Sequence, residues 1–442
     1  MLIGRTKSVC PVCLRVLPAD KLTGADGNIY MEKTCPEHGT FSTLIWEAGM
    51  ADYMRWSLSS SVNEPPVHGK KKEKGCPYDC GLCEDHLRKG CCMLLELTNR
   101  CNLRCPVCFA AAGEKEPADL SMEEIGNQYD FLINHGGPFN IQLSGGEPTM
   151  RDDLPEIISL GKEKGFSFFQ LNTNGIRLAE ETGYAQTLKA AGLNTVFLQF
   201  DGMTDSVYEK LRGRPLLGIK EKAIDRCEAA GLGVVLVPVI APGVNEDQVG
   251  ELLLYAMSRM PTVRGVHFQP ISYFGRCEME RPEKPITIPK ILRLIEEQTA
   301  GLMNASDFAG GGAENPYCSF HASYMHRDDG TWKLLKRKTE SCCCCTTSDD
   351  SRKFVANQWS GEEETLELPD SDLTETSALD AFLEKARRNT FAVSGMVFQD
   401  AYNLDLDRLK RCYICEVDSK SGMVPFCAYN LTDSQGNSLY RK

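Results

Sequence analysis

Between residues 93 and 300 the chain alternates short apolar runs with longer amphipathic segments. The short runs are rich in Val, Ile, Leu and Phe, which favours buried strands, and the longer segments repeat apolar positions at helical spacing. Ser121 and Glu124 form a capping-box pattern that marks the start of one helix. The predicted strands are Leu94–Leu97, Phe139–Leu143, Phe166–Leu171, Thr195–Phe200, Gly233–Val239 and Gly265–Gln269, and the predicted helices lie near 121–135, 153–164, 178–191, 219–230, 246–259 and 288–300.

Six strands that alternate with six helices predict parallel strand pairing through right-handed crossovers. This α/β pattern fits a (β/α) barrel, a partial barrel or a doubly wound sheet. In a barrel the chemistry gathers at the carboxyl ends of the strands, so the residues that follow each strand are the candidates for function.

The composition is that of an ordinary folded protein except for 21 cysteines among 442 residues. The net charge of −12 argues against a general nucleic-acid binder, because no global basic field attracts phosphates. No run of about 18 apolar residues predicts a transmembrane segment, and the first residues lack the apolar core of an export signal. We therefore expect a cytoplasmic protein with reduced thiols, whose cysteines are better explained as metal ligands than as disulfides.

The first cysteine cluster combines a CxxC with a CxxH about twenty residues later. A hairpin with its turn at Asp26-Gly27 is predicted between the two halves, which brings four ligands to one ion. Four N and S ligands suit tetrahedral Zn²⁺ or a mononuclear iron. Polar residues 59–75 then predict a linker. The four candidate ligands are Cys10, Cys13, Cys35 and His38.

Polar motifs follow the first four predicted strands. Cys101, Cys105 and Cys108, in the loop after the first strand, can hold three irons of one cubane and leave the fourth iron open. The next three strands are followed by a Gly-Gly-Glu motif, by an asparagine pair and by an aspartate, groups that can approach a polar ligand. These candidate binding residues are Gly145, Gly146, Glu147, Asn172, Asn174 and Asp201.

The CxxxCxxC loop, followed by SGGEP, resembles the radical S-adenosylmethionine (SAM) superfamily and implies its partial (β/α)6 barrel. The resemblance implies that the three loop cysteines bind a [4Fe–4S] cluster whose open iron binds S-adenosylmethionine. It further implies that Gly145, Gly146 and Glu147 receive the methionine amino group, with the Glu147 charge as its complement. Asn172, Asn174 and Asp201 are the implied contacts of the ribose.

A more specific resemblance covers nearly the whole chain. The segments CPVC…TCPEHG, CPYDCGLC, NRCNLRCPVCFA, VFQDAYN and PFCAYN are similar to the radical SAM group that contains tetraether lipid synthase and the 7,8-dihydro-6-hydroxymethylpterin dimethyltransferase. Members join or methylate unactivated carbons and carry extra metal sites, which implies one or two auxiliary iron–sulfur clusters.

The auxiliary ligands are expected in two sets. Cys76, Cys80 and Cys83 form a second CxxxCxxC motif that lacks its own GGEP, with Cys91 closest to the fourth position in the group's pattern and Cys92 and His86 as competitors. The tail supplies the second set, in which the role of Cys415 stays open because the group often has histidine there. The tail candidates are Cys318, Cys412, Cys427 and part of the run Cys342–Cys345.

We therefore expect a metal-binding domain over 1–58, a linker and auxiliary-cluster segment over 59–92, a radical SAM core over 93–303 and a C-terminal auxiliary-cluster domain over 304–442. Residues 346–380 of the last segment are acidic and predict a surface insertion or a flexible loop.

The resemblance implies reductive cleavage of S-adenosylmethionine to a 5′-deoxyadenosyl radical, which activates a C–H bond for carbon–carbon bond formation or C-methylation. Lipid and pterin substrates both stay open, and a lipid substrate implies peripheral membrane contact. Two alternatives remain: a peptide-modifying or sulfur-inserting radical SAM enzyme with auxiliary clusters, and a non-catalytic metal-binding electron carrier. The expected partners are a small-molecule or lipid substrate and a low-potential reductant such as ferredoxin or flavodoxin, without nucleic acid.

Overall fold

The computed structural model describes residues 1–57, 63–113, 118–335, 347–361 and 388–441. The run Cys342–Cys345 and most of the acidic segment 346–380 lie outside these ranges. In chain order the strands are β1 Leu2–Val9, β2 Val16–Thr23, β3 Ile29–Cys35, β4 Gly39–Trp46, β5 Cys92–Thr98, β6 Val107–Cys108, β7 Asn140–Gly145, β8 Phe169–Thr173, β9 Thr195–Gln199, β10 Gly233–Val237, β11 Val239–Ile240, β12 Val263–Pro270, β13 Arg276–Cys277, β14 Ser319–His326, β15 Trp332–Leu334, β16 Thr390–Met396, β17 Ile414–Asp418 and β18 Gly422–Pro425.

In chain order the helices are α1 Gly49–Trp56, α2 Met122–Asn134, α3 Leu154–Glu163, α4 Ile176–Glu180, α5 Tyr184–Ala191, α6 Asp205–Arg212, α7 Leu217–Ala229, α8 Val249–Ser258, α9 Ile288–Gln298, α10 Ser348–Trp359, α11 Leu406–Leu409 and α12 Phe426–Tyr429. Within the described ranges, no helix has both the length and the apolar character needed to cross a membrane.

The first four strands form a separate antiparallel sheet in sequence order. Its β2–β3 hairpin confirms the predicted turn: the Asp26 carboxylate accepts the Asn28 N–H at 3.1 Å, and Gly27 adopts a φ of +80°. Helix α1 follows and is tied to the C-terminal part of the chain, because the Trp56 indole donates to the Pro316 carbonyl at 2.7 Å.

The six strands that the sequence predicts form a continuous parallel sheet in the order β5-β7-β8-β9-β10-β12. Alternate residues of these strands, among them Leu95, Leu143 and Leu171, are buried in one hydrophobic core with the connecting helices. The residues between them face the opposite, concave side. Within the described residues the sheet does not close on itself, so the predicted α/β fold with a partial (β/α)6 barrel is confirmed.

The C-terminal part of the chain extends this sheet at both of its edges. Strand β16 pairs in parallel with β12, and β14 and β15 continue the sheet in antiparallel fashion. At the opposite edge β17 pairs in parallel with β5, and β18 follows in antiparallel fashion. The tail therefore covers both edges of the six-stranded barrel, which would otherwise present unpaired backbone groups.

Three elements differ from the prediction. The predicted helix 178–191 is two helices, α4 and α5, because Gly183 adopts a φ of +86° between them. Helix α6 is absent from the prediction, since its buried side includes the charged Arg212. Part of the acidic segment predicted as a surface insertion or flexible loop is helix α10, which begins where the Thr347 hydroxyl accepts the Asp350 N–H at 3.1 Å.

Candidate active site and metal centres

The Gly-Gly-Glu turn after β7 lies directly against the cysteine loop after β5. The Gly146 N–H donates to the Thr98 carbonyl at 2.7 Å, and the Glu147 N–H donates to the Arg100 carbonyl at 2.9 Å. A Cβ atom on Gly146 would lie 2.3 Å from the Arg100 oxygen, and one on Gly145 would lie 2.4 Å from the Thr98 oxygen. Only glycine fits at these two positions, and the turn is held beside the loop that carries the three cysteines.

The Glu147 carboxylate is a buried junction between the motifs. Its oxygens accept the hydroxyls of Thr149 and Thr173 and the N–H of Asn174, each at 2.7 Å. The Asn174 amide in turn donates to Asn102 Oδ1 in the cysteine loop at 2.7 Å. Glu147 therefore joins the ends of β7 and β8, a role in addition to the charge complement that the sequence suggested.

Asp201, which the resemblance implied as a ribose contact, lies in a buried ion pair. Its two oxygens accept from Nη2 and Nε of Arg212, each at 2.7 Å, and the Val239 N–H adds a third hydrogen bond at 3.0 Å. Asp201 is only 1% exposed. Its carboxylate holds the guanidinium of Arg212, which hydrogen-bonds the Cys105 thiol.

The cysteine loop is embedded among buried side chains that include Leu103, Ile176 and Tyr208. Burial raises the pKa of the Cys101 thiol to about 12 and also raises the pKa of Cys105. The Leu103 N–H contacts Cys101 Sγ at 3.4 Å, a contact that favours a sulfur with negative charge. Three thiols on one buried loop, with N–H and guanidinium donors beside them, fit an iron–sulfur cluster.

Asn172 and Lys220 complete the polar groups around the strand ends. The Asn172 side chain donates to Gln142 at 3.2 Å and accepts from Gln170 at 2.9 Å, so it lies in a row of interior amides. The buried Lys220, which the sequence did not single out, donates to the Asn174 carbonyl. Burial lowers the pKa of Lys220 to about 8. Lys220 therefore supports the asparagine turn from the side of helix α7.

The concave side of the sheet carries carboxylates that the sequence did not single out either. Glu96 on β5 accepts two hydrogen bonds from Arg441, at 2.6 and 2.8 Å. Glu416 on β17 is 1% exposed, and neither of its oxygens has a hydrogen-bond partner among the residues that the structure describes. Burial, followed by the nearby charge of Glu96, raises the pKa of Glu416 well above its ordinary value. The interior thus contains a carboxyl group without a donor.

The N-terminal sheet gathers the four ligands predicted for its metal site. The ligand atoms of the two tight turns all lie within 4.8 Å of one another. Two thiols are buried and the other two groups are exposed, as expected for turns that enclose an ion at the surface. This close group of N and S atoms fits a structural metal ion. The residues are Cys10, Cys13, Cys35 and His38.

The three cysteines of the first auxiliary set influence one another's ionisation. The neighbouring Cys76 thiol raises the pKa of Cys80 well above its ordinary value, and burial followed by the Cys76 charge raises the pKa of Cys83. The Cys80 N–H is held by the Tyr440 hydroxyl at 2.8 Å, which connects this set to the end of the described chain. Three thiols gathered in this way fit an iron–sulfur cluster that takes a further ligand.

In the tail set, burial and the neighbouring thiols of Cys427, Cys415 and Cys318 raise the pKa of Cys412 well above its ordinary value. The thiol of Cys91, which the sequence predicts as the fourth ligand of the first set, also interacts electrostatically with Cys412. Its N–H donates to the Tyr413 carbonyl at 2.9 Å, which binds the start of β5 to the residue after Cys412, and its ligand role stays a prediction.

The competing residues have other surroundings. His86 donates to the Cys412 carbonyl at 2.7 Å, and burial lowers its pKa to about 4. Cys92 hydrogen-bonds Gln142 on the concave side. Cys415 packs into the main hydrophobic core. Of these three, His86 follows the first auxiliary set in sequence, and its side chain contacts the tail set at the backbone carbonyl of Cys412.

Comparison with known proteins identifies the family. Residues 95–256 match the Radical SAM superfamily, and residues 2–47 match the HMPTM N-terminal zinc ribbon domain. The 7,8-dihydro-6-hydroxymethylpterin dimethyltransferase of Methanocaldococcus jannaschii is 36% identical over 98% of this chain and 94% of its own length. The chain belongs to that enzyme's family. It is therefore a radical SAM enzyme of the transferase type, and membership implies a [4Fe–4S] cluster and S-adenosylmethionine, which the buried thiols and the glycine turn fit.

Two further proteins are similar to only part of this chain. The GTP 3′,8-cyclase of Paenarthrobacter nicotinovorans is 33% identical over 43% of this chain and 54% of that protein. The structure of Streptococcus suis SuiB bound to S-adenosylmethionine has a TM-score of 0.41 at 16% identity, covering 48% of this chain and 47% of SuiB. The family assignment rests on the full-length relative.

We expect the Cys35→Ala variant of this radical SAM transferase to lose about one equivalent of bound metal per chain, because three remaining ligands hold an ion less tightly than four. Elemental analysis of the purified protein measures the loss and identifies the metal. Thr34→Ala, a change at the exposed neighbour on the same strand, is the control and should keep the metal. Unchanged metal content in Cys35→Ala would contradict the four-ligand site.

Proposed function

We propose that this radical SAM transferase methylates a carbon atom of a pterin-type heterocycle. The full-length relative is named for dimethylation of a pterin, and the partial relative from Paenarthrobacter is named for cyclisation of GTP. A pterin and a guanine nucleotide share a flat ring with a 2-amino-4-oxopyrimidine edge. The two names therefore support one class of substrate chemistry, a polar fused heterocycle.

The observation that carries this proposal is the polar lining of the concave side. Glu96 on β5 and Gln142 on β7 alternate with core residues, and Gln170 pairs with Gln142 in the register of β7 and β8. A hydrocarbon chain in this space would leave Gln170 Oε1 and the Glu416 carboxyl group, which have no partner among the described residues, still unpaired, at a cost of roughly 1–3 kcal/mol for each group. A heterocycle with N–H and carbonyl groups satisfies them, which favours a pterin over a lipid.

In this proposal Cys101, Cys105 and Cys108 hold the [4Fe–4S] cluster. When bound, the cluster and S-adenosylmethionine would supply a 5′-deoxyadenosyl radical, made with one electron from a ferredoxin- or flavodoxin-type donor, which takes a hydrogen atom from a substrate C–H bond. In this proposal the methyl group comes from a second S-adenosylmethionine: its methyl–sulfur bond breaks as the new carbon–carbon bond forms, and a further electron from the same donor leaves S-adenosylhomocysteine. The backbone of Gly145 and Gly146 approaches the methionine part, and the apolar shell of the cysteine loop excludes water from it.

The remaining residues of the site position these groups. Asn172 and Asn174 lie at the end of β8 and are the proposed ribose contacts. Asp201 acts through Arg212, which it holds against the Cys105 sulfur. Asp201 is thus a positioning residue.

The proposed metal content extends beyond the catalytic cluster. The ribbon set takes Zn²⁺, which fits a closed site of thiolates and one imidazole. Cys76, Cys80 and Cys83 hold one auxiliary iron–sulfur cluster. The tail set, with Cys91 added, holds another and passes electrons toward the barrel. Its members are Cys91, Cys318, Cys412 and Cys427.

The decisive test is hydrogen transfer from the substrate to 5′-deoxyadenosine. We expect iron-loaded wild-type protein, reduced anaerobically with S-adenosylmethionine and carbon-deuterated 6-hydroxymethyl-7,8-dihydropterin, to form deuterated 5′-deoxyadenosine and a pterin that gains methyl groups. Mass spectrometry measures both products.

A parallel reaction with a deuterated dialkyl glycerol lipid separates the two substrate classes. Deuterium that comes from the lipid and not from the pterin would replace the pterin proposal with a lipid substrate. Unlabelled 5′-deoxyadenosine in both reactions would overturn hydrogen abstraction from either compound and direct attention to peptide substrates.

A further inference from the structure

Glu416 is a buried carboxyl group to which no residue in the described part of the chain donates a hydrogen bond. Its two neighbours on β17, Cys415 and Val417, pack into the core between sheet and helices. Since successive side chains of a strand alternate, Glu416 points to the concave side, where the Cys415–Met93 and Glu416–Leu94 pairs place it next to β5.

The surroundings of Glu416 already bind a guanidinium group. Glu96 lies on β5 two residues after Leu94, the residue that pairs with Glu416. The Glu96 carboxylate accepts hydrogen bonds from both terminal nitrogens of Arg441, at 2.6 and 2.8 Å, and the Arg441 guanidinium lies 4.9 Å from the ring centre of Tyr429. A carboxylate edge with an aromatic face is an arrangement that holds flat, N–H-rich groups. Because the side chains of Glu96 and Arg441 are 20% and 18% exposed, solvent reaches this corner of the interior.

The energetic balance indicates a missing ligand. A buried carboxyl group without a donor costs about 1–3 kcal/mol, or more if it is charged, and Arg441 is already engaged by Glu96. A 2-amino-4-oxopyrimidine ring presents one ring N–H and one exocyclic N–H side by side, which is the spacing of a guanidinium edge. When the ring binds, its two N–H donors favour the ionised form of Glu416, which gives up its proton, and the two oxygens of the carboxylate then accept the pair of donors together.

We propose that Glu416 is the specificity residue of the substrate site and accepts the paired N–H donors of a 2-amino-4-oxopyrimidine edge. This inference rests on the proposed pterin-type function and adds the residue that recognises the ring. Glu96, Arg441 and Tyr429 form the adjoining wall, in which the ion pair keeps a second carboxylate from competing for the same donors.

The test uses the full-length, iron-loaded protein under anaerobic conditions and measures ligand binding, not turnover. We expect wild-type protein to bind 6-hydroxymethylpterin, followed by its fluorescence, at least about tenfold more tightly than 6-hydroxymethyllumazine, in which an oxygen replaces the 2-amino group. Glu416→Gln should weaken pterin binding about 10- to 100-fold and remove the preference. Glu251→Gln, which changes an exposed carboxylate on helix α8, should bind as wild type does.

Thermal unfolding separates recognition from structural support. Because Glu416 has no partner in the free protein, Glu416→Gln and Glu416→Met should keep or raise the Tm of the ligand-free protein while both lose pterin discrimination. A lowered Tm in both variants would show a structural role and overturn the inference.

The binding measurements distinguish three further outcomes. If wild type binds pterin and Glu416→Gln binds it equally well, the inference is wrong while the proposed function stands. If wild type binds neither pteridine, the proposed substrate class is wrong. If guanosine binds more tightly than the pterin and loses its affinity in Glu416→Gln, the role of Glu416 holds and the substrate is a guanine compound.

Discussion

The Cys105→Ala variant is expected to form 5′-deoxyadenosine no faster than a protein-free control. Cys105 is one of three thiols available to the catalytic cluster, and it is the one that contacts the buried Arg212–Asp201 pair. Its loss removes one of the three iron ligands and the anchor of the loop together, so a cluster with a single open iron cannot assemble. Anaerobic incubation with S-adenosylmethionine and dithionite, followed by mass spectrometry, measures the product.

Cys227→Ala is the matched control for this experiment. Cys227 is fully buried on α7, in the main hydrophobic cluster, and belongs to none of the four candidate metal sets. It should retain 5′-deoxyadenosine formation, even if the cavity lowers its stability. Undiminished product from a Cys105→Ala protein with full iron content would show that the loop is not the catalytic centre.

The Gly146→Ala substitution is expected to weaken S-adenosylmethionine binding by at least about tenfold and to destabilise the protein by about 1–3 kcal/mol. The added methyl group would lie 2.3 Å from the Arg100 carbonyl oxygen, so the turn and the cysteine loop must separate. Separation breaks the hydrogen bonds from Gly146 to Thr98 and from Glu147 to Arg100. Isothermal titration of the iron-loaded protein and chemical denaturation measure the two effects.

Gly218→Ala provides the comparison. A Cβ atom at Gly218 meets nothing within 4 Å, and this glycine lies in the first turn of helix α7. Alanine should therefore stabilise the helix by up to about 1 kcal/mol and leave S-adenosylmethionine binding unchanged. Equal binding by the Gly146→Ala and wild-type proteins would contradict the close contact between turn and loop.

The barrel was predictable because its signals are local. Each of the six parallel barrel strands contains a short apolar run, and each of the six predicted helical segments carries its own periodic pattern. The four-ligand ribbon was predictable for the same reason, since its ligands lie in two short motifs around a hairpin. The contact between the cysteine loop and the Gly-Gly-Glu turn followed from the rule that the carboxyl ends of parallel strands meet.

The residues that the sequence did not reveal depend on contacts between distant parts of the chain. Arg212 is a charged residue on a short helix, and nothing local indicates that Asp201 will bury it. Cys91 follows the first auxiliary motif in sequence, but its backbone pairs with Tyr413, the residue after Cys412 of the tail set. Glu416 resembles any polar strand residue until β17 is paired with β5.

The tail's place on both edges of the barrel has a consequence for biosynthesis. Once residues 93–303 have left the ribosome, the six-stranded sheet can form with both of its edges unpaired. Its outer strands are β5 and β12, and their partners β17 and β16 are synthesised much later. During that interval both edges can pair with other nascent chains, so the yield should depend more on chaperones and on the rate of translation than on the final stability of the enzyme. Expression hosts should therefore be compared by the amount of full-length protein that they produce without aggregation.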